Sequence, residues 1–295
     1  MDYGNISEIK DLLNSIGFRA SKSLGQNFLT DPNIPGKIVR ESGIDSSCGV
    51  LEAGPGLGAL TAPLSRVAKR VISVELDTRL VAVLNDMFSK TPNVAIVNAD
   101  ILKLDIAGMI RQTEPELKWH VCSNLPYSIT TPALSAFMNC GAFDSITVMI
   151  QKEVALRICA KPGSSAYSSF TVFANYHSLE LRTLFDVPPE CFMPRPGVYS
   201  TVIRMKQRES RLLEKDDEAL FFRVVKAAFG QRRKTLVNAL YASGALLTAQ
   251  SGKIEKEELE RIVTSCGFDA RVRGETLGVD EFIGLTGMLK KYIKM

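Results

Sequence analysis

The 295-residue chain has little of what most catalytic and metal sites are made from. Its two histidines, His120 and His177, share no ligand spacing, and metal sites need clustered donors. No metal is expected, and both histidines are assigned structural roles. Six cysteines, at 48, 122, 140, 159, 191 and 266, lie far apart with no C-x-x-C pair. Scattered thiols inside apolar segments argue against a disulfide framework or a zinc site and fit a reducing compartment. No uninterrupted apolar run approaches the roughly 18 residues of a membrane span, so no membrane partner is expected. The opening MDYGNISEIK carries early acids rather than an apolar core, which argues against a secretory leader and for a cytoplasmic protein. Internal repeats and low-complexity tracts are absent from the sequence as well.

What remains is an ordinary globular composition, 45% hydrophobic and 23% charged, long enough for one large domain and a small one. The charge is unevenly placed. Cys191–Thr235 holds eleven Lys/Arg against five acids, a segment of +6 in a chain whose net charge is +4. A basic second half beside a near-neutral first half points to a polyanionic partner, with a solvated surface as the plain alternative.

Short apolar stretches at 49–53, 70–76, 94–100, 119–125 and 145–151 read as strands. Helical periodicity lies between them near 59–69, 78–89 and 132–140. That alternation predicts an α/β domain with a parallel sheet covered on both faces, over residues 1–208. DVPPECFMPRPGVYS (186–200), with four prolines, reads as a stiff loop. From 209 to 295 the apolar spacing is helical throughout, which predicts a small all-helical domain.

Ligands of such sheets bind at the carboxyl ends of the strands, and the chemistry-bearing residues sit there. LEAGPGLGALT (51–61) places Gly54, Gly56 and Gly58 between a strand and a helix. This G-x-G-x-G spacing differs from the G-x-G-x-x-G of dinucleotide sites. Glu75 closes the next strand, where an acid grips ribose hydroxyls, and Asp100 closes the third, where an acid meets an adenine amine. One acid after each strand suits a nucleoside without a long phosphate chain, such as S-adenosylmethionine; the alternative is that both acids cap helices. After the fourth strand comes Asn124-Leu125-Pro126-Tyr127. An Asn oxygen and a neighbouring carbonyl are two acceptors for an exocyclic amine, Pro126 stiffens the turn, and Tyr127 offers a ring for stacking. Accepting the hydrogens of an adenine amine favours its pyramidal, nucleophilic form, so positioning and fixed dipoles would carry the reaction. Phe192 in the proline-rich loop is the second candidate for stacking on an extruded base, with a core Phe in a surface loop as the equal alternative, and Arg195 for a phosphate. Arg232, Arg233 and Lys234 in FGQRRKTL suit RNA phosphates, with a solvated helix end as the plain alternative. SKSLGQNFLTDP (21–32) fits a lid over a ligand.

The blocks SLGQNFLTDPNI, EAGPGLGALT, VELD, NADILKLD, NLPYSITTP, VPPECFMPRPGVYSTVIRM and FGQRRKTLVNAL occur in the order seen in the small-subunit rRNA adenine dimethyltransferases, the KsgA family, which this sequence resembles from about residue 20 to 240. The resemblance implies a class I methyltransferase fold with a helical C-terminal domain that binds RNA or the ribosome. It implies transfer of methyl groups from S-adenosylmethionine, leaving S-adenosylhomocysteine, to N6 of two adjacent adenines in the 3′-terminal hairpin loop of 16S rRNA. The partner would be the small ribosomal subunit or its precursor, and the protein is expected to be a monomer. By position, Asn27, Leu29, Gly54, Gly56, Glu75, Asp100 and Asn124 match cofactor-contacting residues, Asn124 through Tyr127 the target-amine motif, and Phe192 the stacking aromatic. Gly197 and Tyr199 depart from the family's usual Lys and Asp in the proline loop, and Ser168 from its Gly. The 23S rRNA enzymes that confer resistance share the fold but usually read N-I-P-Y. A non-catalytic assembly factor is disfavoured by the intact Asn124 and Tyr127, and an NAD-dependent dehydrogenase by the glycine spacing.

Overall fold

The structure is a computed structural model that describes residues 3–18, 27–244, 247–248 and 252–293. In chain order the elements are α1 (Ile6–Ser15), β1 (Phe28–Leu29), α2 (Asn33–Ser42), β2 (Cys48–Ala53), α3 (Thr61–Val67), β3 (Arg70–Glu75), α4 (Thr78–Met87) and β4 (Val94–Asn98). There follow α5 (Ile106–Thr113), β5 (Lys118–Asn124), α6 (Thr130–Cys140), β6 (Ser145–Gln151), α7 (Lys152–Ile158), α8 (Ser169–His177), β7 (Ser178–Val187), β8 (Phe192–Met193) and β9 (Ser200–Gln207). The rest is α9 (Lys215–Gly230), α10 (Leu236–Ser243), β10 (Leu247–Thr248), β11 (Gly252–Lys253), α11 (Lys256–Ser265) and α12 (Val279–Ile293).

Two compact units result, Met1–Ala155 with Ser178–Glu209, and Leu156–His177 with Ser210–Met295. A single cut at 208/209 therefore misassigns Leu156–His177. Those residues look unremarkable in sequence, but Tyr167, Val172 and Tyr176 are buried in one cluster with Phe221, Val224, Leu240 and Phe282 of the second unit. Nor is that unit all helical, since β10 and β11 pair antiparallel.

The first unit is built on a seven-stranded sheet of order β4-β3-β2-β5-β6-β9-β7, with helices on both sides. The five strands foreseen from sequence form its parallel part. The sheet is mixed rather than all parallel, because β9 and β7 add to β6 antiparallel. β7 was missed because it is a polar edge strand, SLELRTLFDV, most of whose residues stay in contact with solvent. Inner strands show the opposite pattern: every residue of β2 is buried, as expected where helices cover both faces.

The chain runs outward from β2 through β3 to β4 and then returns to lay β5 on the other side of β2. Strand order reverses there, so β2 and β5 flank the switch point at which open α/β sheets bind ligands. Their ladder stops at the pair Leu51↔Val121. Beyond it β2 stays with β3 as far as Ala53↔Val74, and β5 stays with β6 as far as Asn124↔Met149. The two strands part, and Ser123 Oγ accepts the Ala53 N–H at 2.8 Å. A buried N–H without a ladder partner would cost roughly 1–3 kcal/mol, so this hydroxyl makes the separation affordable.

At the other end of the same pair, Gly49 faces Trp119. A Cβ on Gly49 would lie 2.7 Å from two carbons of the Trp119 ring, whose Nε1 donates to the Glu114 carbonyl at 3.0 Å. The ring is buried and tethered, so it has nowhere to go. Gly49→Ala is expected to destabilise the fold by about 1–3 kcal/mol, the usual cost of overpacking, whereas Gly197→Ala, with open space around its Cβ position, is expected to be neutral. Urea denaturation of the two variants checks the contrast.

Candidate active site

The crevice between β2 and β5 is a cavity lined by the ends of four parallel strands and the segments that follow them. Asn27, Leu29, Gly54, Gly56, Glu75, Asp100, Asn124, Leu125, Pro126 and Tyr127, all foreseen from sequence, line it. One expected residue is not there, and one segment lies largely outside the described residues. Phe192 is only 4% exposed, packed with Leu29, Ile38 and Val202, and does not line the cavity. It is drawn inward because β8 pairs with β1, Leu29 opposite Phe192, so the face a stacked base would need is covered. The lid segment falls largely outside the description, since Ser21, Lys22, Ser23, Leu24, Gly25 and Gln26 are not among the described residues.

The glycine turn owes its shape to backbone conformation. Gly54 and Gly56 have φ of +68° and +60°, a region that costs other L-residues roughly 1 kcal/mol or more. A Cβ on Gly54 would also meet the Pro126 ring at 3.2 Å, so the turn after β2 and the turn after β5 are pressed together. Glu75 accepts from Gly56 N at 3.3 Å and Asp77 N at 3.0 Å. Burial raises its carboxyl, and these N–H groups partly offset the rise. Neither Glu75 nor Asp100 caps a helix. The N-caps of α4 and α5 are Asp77 and Asp105, while Asp100 accepts from Leu102 N in a turn at 3.0 Å and pairs with Lys103 at 3.5 Å.

The Asn124 amide is oriented by one bond. Its Nδ2 donates to the Asn27 carbonyl at 3.3 Å, which turns Oδ1 into the acceptor left at the end of β5. The Pro126 carbonyl already accepts from Ile129 N at 3.1 Å and Thr130 Oγ1 at 3.3 Å. The Leu125 carbonyl accepts from none of the described residues, so it is the second acceptor of the turn. Pro126 holds φ at −54°. Tyr127 is half-buried, its hydroxyl 2.8 Å from Ser200 Oγ at the start of β9, and burial raises its phenol. A ring anchored at its hydroxyl presents its face in one direction.

Sequence reasoning missed Glu52. It lies inside β2, 1% exposed, and lines the cavity. Its Oε2 accepts from Thr61 Oγ1 at 2.6 Å and Ser73 Oγ at 2.7 Å. Burial pushes the carboxyl up to about 7 despite those two bonds, with Glu75 adding to the rise. The signal was there, as the one charged letter in the apolar run GVLEA.

Of the cations expected to meet RNA, Arg195 is exposed and paired with Glu190 of its own loop. In the second unit Arg232 binds Glu275 at 3.1 Å and the Ser165 carbonyl at 2.9 Å. Arg233 and Lys234 are exposed and form no ion pair among the described residues. The three therefore divide into one strut and two available charges. No group of three metal-ligating side chains occurs among the described residues.

The sequence profile of the ribosomal RNA adenine dimethylase family matches residues 17–262. A ribosomal RNA small subunit methyltransferase A of Geobacillus thermodenitrificans is 42% identical over 290 residues, covering 98% of this chain and 97% of that protein. The protein of the same name from Staphylococcus epidermidis is 43% identical over 300 residues, covering 100% and 99%. Among solved structures, a dimethyladenosine transferase from Plasmodium falciparum superposes with a TM-score of 0.70 at 26% identity, covering 88% of this chain and 95% of that one. The 23S rRNA methyltransferase ErmE gives 0.68 at 24% identity, covering 90% and 100%, and so shares the fold.

The raised carboxyl of Glu52 has a consequence for stability. Its folded value, about 7, lies above the ordinary 4.5, so the native state holds a proton that the unfolded chain has lost. Stability from this group is complete below pH 4.5 and is lost as pH rises through 7, a change of order 3 kcal/mol. Glu52→Gln keeps both hydroxyl partners and should remove that loss. Urea denaturation at pH 5 and pH 8 is expected to show the variant gaining on the wild type at the higher pH.

Proposed function

The chain belongs to the ribosomal RNA adenine dimethylase family, and on that premise we propose that it methylates N6 of two adjacent adenosines in the 3′-terminal hairpin loop of 16S rRNA, within the assembling small ribosomal subunit. The observation that carries the reading is the lining of the cavity. It holds three carboxyls, Glu52, Glu75 and Asp100, and no Lys, Arg or His among the described residues. Such a site repels a pyrophosphate and favours a cationic nucleoside, which fits S-adenosylmethionine and disfavours a dinucleotide. When bound, this cofactor supplies a methyl group on a positively charged sulfur, leaving S-adenosylhomocysteine as product. Glu75 would hold the ribose hydroxyls and Asp100 the adenine amine, with Asn27, Leu29, Gly54 and Gly56 forming the rest of the cradle.

This chain's own part in the reaction is to present the target nitrogen. Asn124 Oδ1 and the Leu125 carbonyl accept the two hydrogens of the adenine amine, drawing its lone pair out of the ring. The Tyr127 face stacks on the base, and Pro126 fixes the turn that holds all three. Stacking falls to Tyr127 alone, because Phe192 lies in the core. A hairpin loop offers unstacked adenines at low cost. Arg195, Arg233 and Lys234 would meet backbone phosphates, the latter two from the helical RNA- or ribosome-binding domain. A cytoplasmic monomer fits this role. The small-subunit reading is preferred to the 23S one because the curated relatives at 42–43% identity carry the small-subunit name.

Under-methylated small subunits, naked 16S rRNA and 23S rRNA, each incubated with methyl-labelled S-adenosylmethionine, test the substrate. N6-dimethyladenosine on small-subunit particles is expected; label on 23S rRNA alone would sink the assignment. Asn124→Ala should lower turnover by about a hundredfold or more, as loss of one preorganised polar group does, with cofactor binding less affected. Arg233→Ala with Lys234→Ala should weaken RNA binding and reduce its log–log salt slope by about two. Arg232→Ala should also lower the thermal midpoint, since its contacts to Glu275 and Ser165 go with it.

A further inference from the structure

We propose that Glu52 is a proton-linked charge sensor by which the cavity tells the cationic methyl donor from its neutral-sulfur product. The inference rests on the cofactor assigned above. Its basis is geometric. Glu52 is buried in β2 and lines the cavity. Both of its hydroxyl partners bond the same oxygen, Oε2, and Oε1 accepts from none of the described residues. A carboxyl with one oxygen held by two hydroxyls and the other facing a ligand cavity is placed to answer a cation there.

The groups around it define what titrates. From β3 come Ser73, which donates to it, and Glu75, whose charge opposes its ionisation. From α3 comes the Thr61 hydroxyl, from β5 the buried thiol Cys122, and from the N-terminal segment Tyr3, whose hydroxyl donates to the Leu57 carbonyl at 3.1 Å. Cys122 and Tyr3 feel the Glu52 charge, and burial pushes both upward, so they stay neutral through the neutral range. Among the described residues no cation bonds Glu52. Near pH 7 its carboxyl is therefore part protonated in the free protein. A sulfonium placed in the cavity stabilises the carboxylate, and the proton leaves to solvent as the donor binds. The product carries no charge on sulfur and leaves the proton in place. Both ligands carry the same amino and carboxylate groups, and Glu52→Gln separates the carboxyl's contribution from any effect of the sulfonium on how those groups titrate.

The consequence is a donor-to-product affinity ratio that rises with pH, by at most about tenfold per unit for a single linked proton, and levels off above about pH 7. Calorimetric titration of full-length protein with S-adenosylmethionine and with S-adenosylhomocysteine, in phosphate and in Tris at pH 5.5, 6.5 and 8.5, reads this directly. At pH 6.5 the donor is expected to release about half a proton or more beyond the product, and at 8.5 the part of the difference that depends on Glu52 should vanish. Glu52→Gln should abolish the difference. Ser73→Ala keeps the carboxyl but removes a bond that favours its ionised form, so the rise should move to higher pH. That variant carries the test if Glu52→Gln does not fold. Equal proton release by both ligands in the wild type, or an undiminished difference in Glu52→Gln, overturns the proposal. So does a difference that vanishes in Glu75→Gln and persists in Glu52→Gln. Failure of the wild type to bind S-adenosylmethionine at all would remove the cofactor assignment itself, a distinct result from binding without linkage.

Discussion

Ser123 Oγ receiving the Ala53 N–H is a small contact on which the rest of the site depends. Strands β2 and β5 must separate for a crevice to exist at the switch point, and separation strands a buried backbone donor. A hydroxyl one residue short of Asn124 solves this locally. The glycine turn then leaves β2 in one direction and the Asn-Leu-Pro-Tyr turn leaves β5 in the other, touching where Gly54 meets Pro126. The proposed cofactor cradle and target-amine acceptors are thus two sides of one split ladder.

The electrostatics of the crevice follow from which residues close the strands. Glu52 within β2, Glu75 at the end of β3 and Asp100 just after β4 bring acids to one rim, each held differently. Glu75 is held by backbone N–H groups and Glu52 by hydroxyls, while Asp100 is bound in its own turn. The basic charge read from composition lies elsewhere, on the proline loop and in the second unit. The acidic rim and the basic charge thus lie on different segments, which suits the proposed binding of a cationic methyl donor in the cavity and of phosphates elsewhere.

Much of this was legible in the sequence because parallel strands buried on both faces announce themselves as apolar runs. The residues that end them are then placed by topology. What escaped had a physical reason. Edge strand β7 lacks the apolar run, and the helix Ser169–His177 belongs to a unit whose other elements begin some forty residues later. Phe192 read equally well as a stacking aromatic or as a core residue of a surface loop. Its burial depends on the two-residue pairing of β8 with β1, segments about 160 residues apart that no local pattern connects. Glu52 was overlooked because its position inside a strand hides that it reaches the cavity. Ser200 anchoring Tyr127 was equally out of reach.

The pairing of β1 with β8 has one more implication. Asn27 immediately precedes β1, and its carbonyl sets which end of the Asn124 amide faces outward. The strap from the proline loop therefore works as a polarity lock. In this arrangement the amide shows an oxygen; the opposite orientation would show an NH₂, which would repel the hydrogens of an incoming amine. In the proposed reaction, the sign of the Asn124 dipole is thus set from outside the Asn-Leu-Pro-Tyr turn.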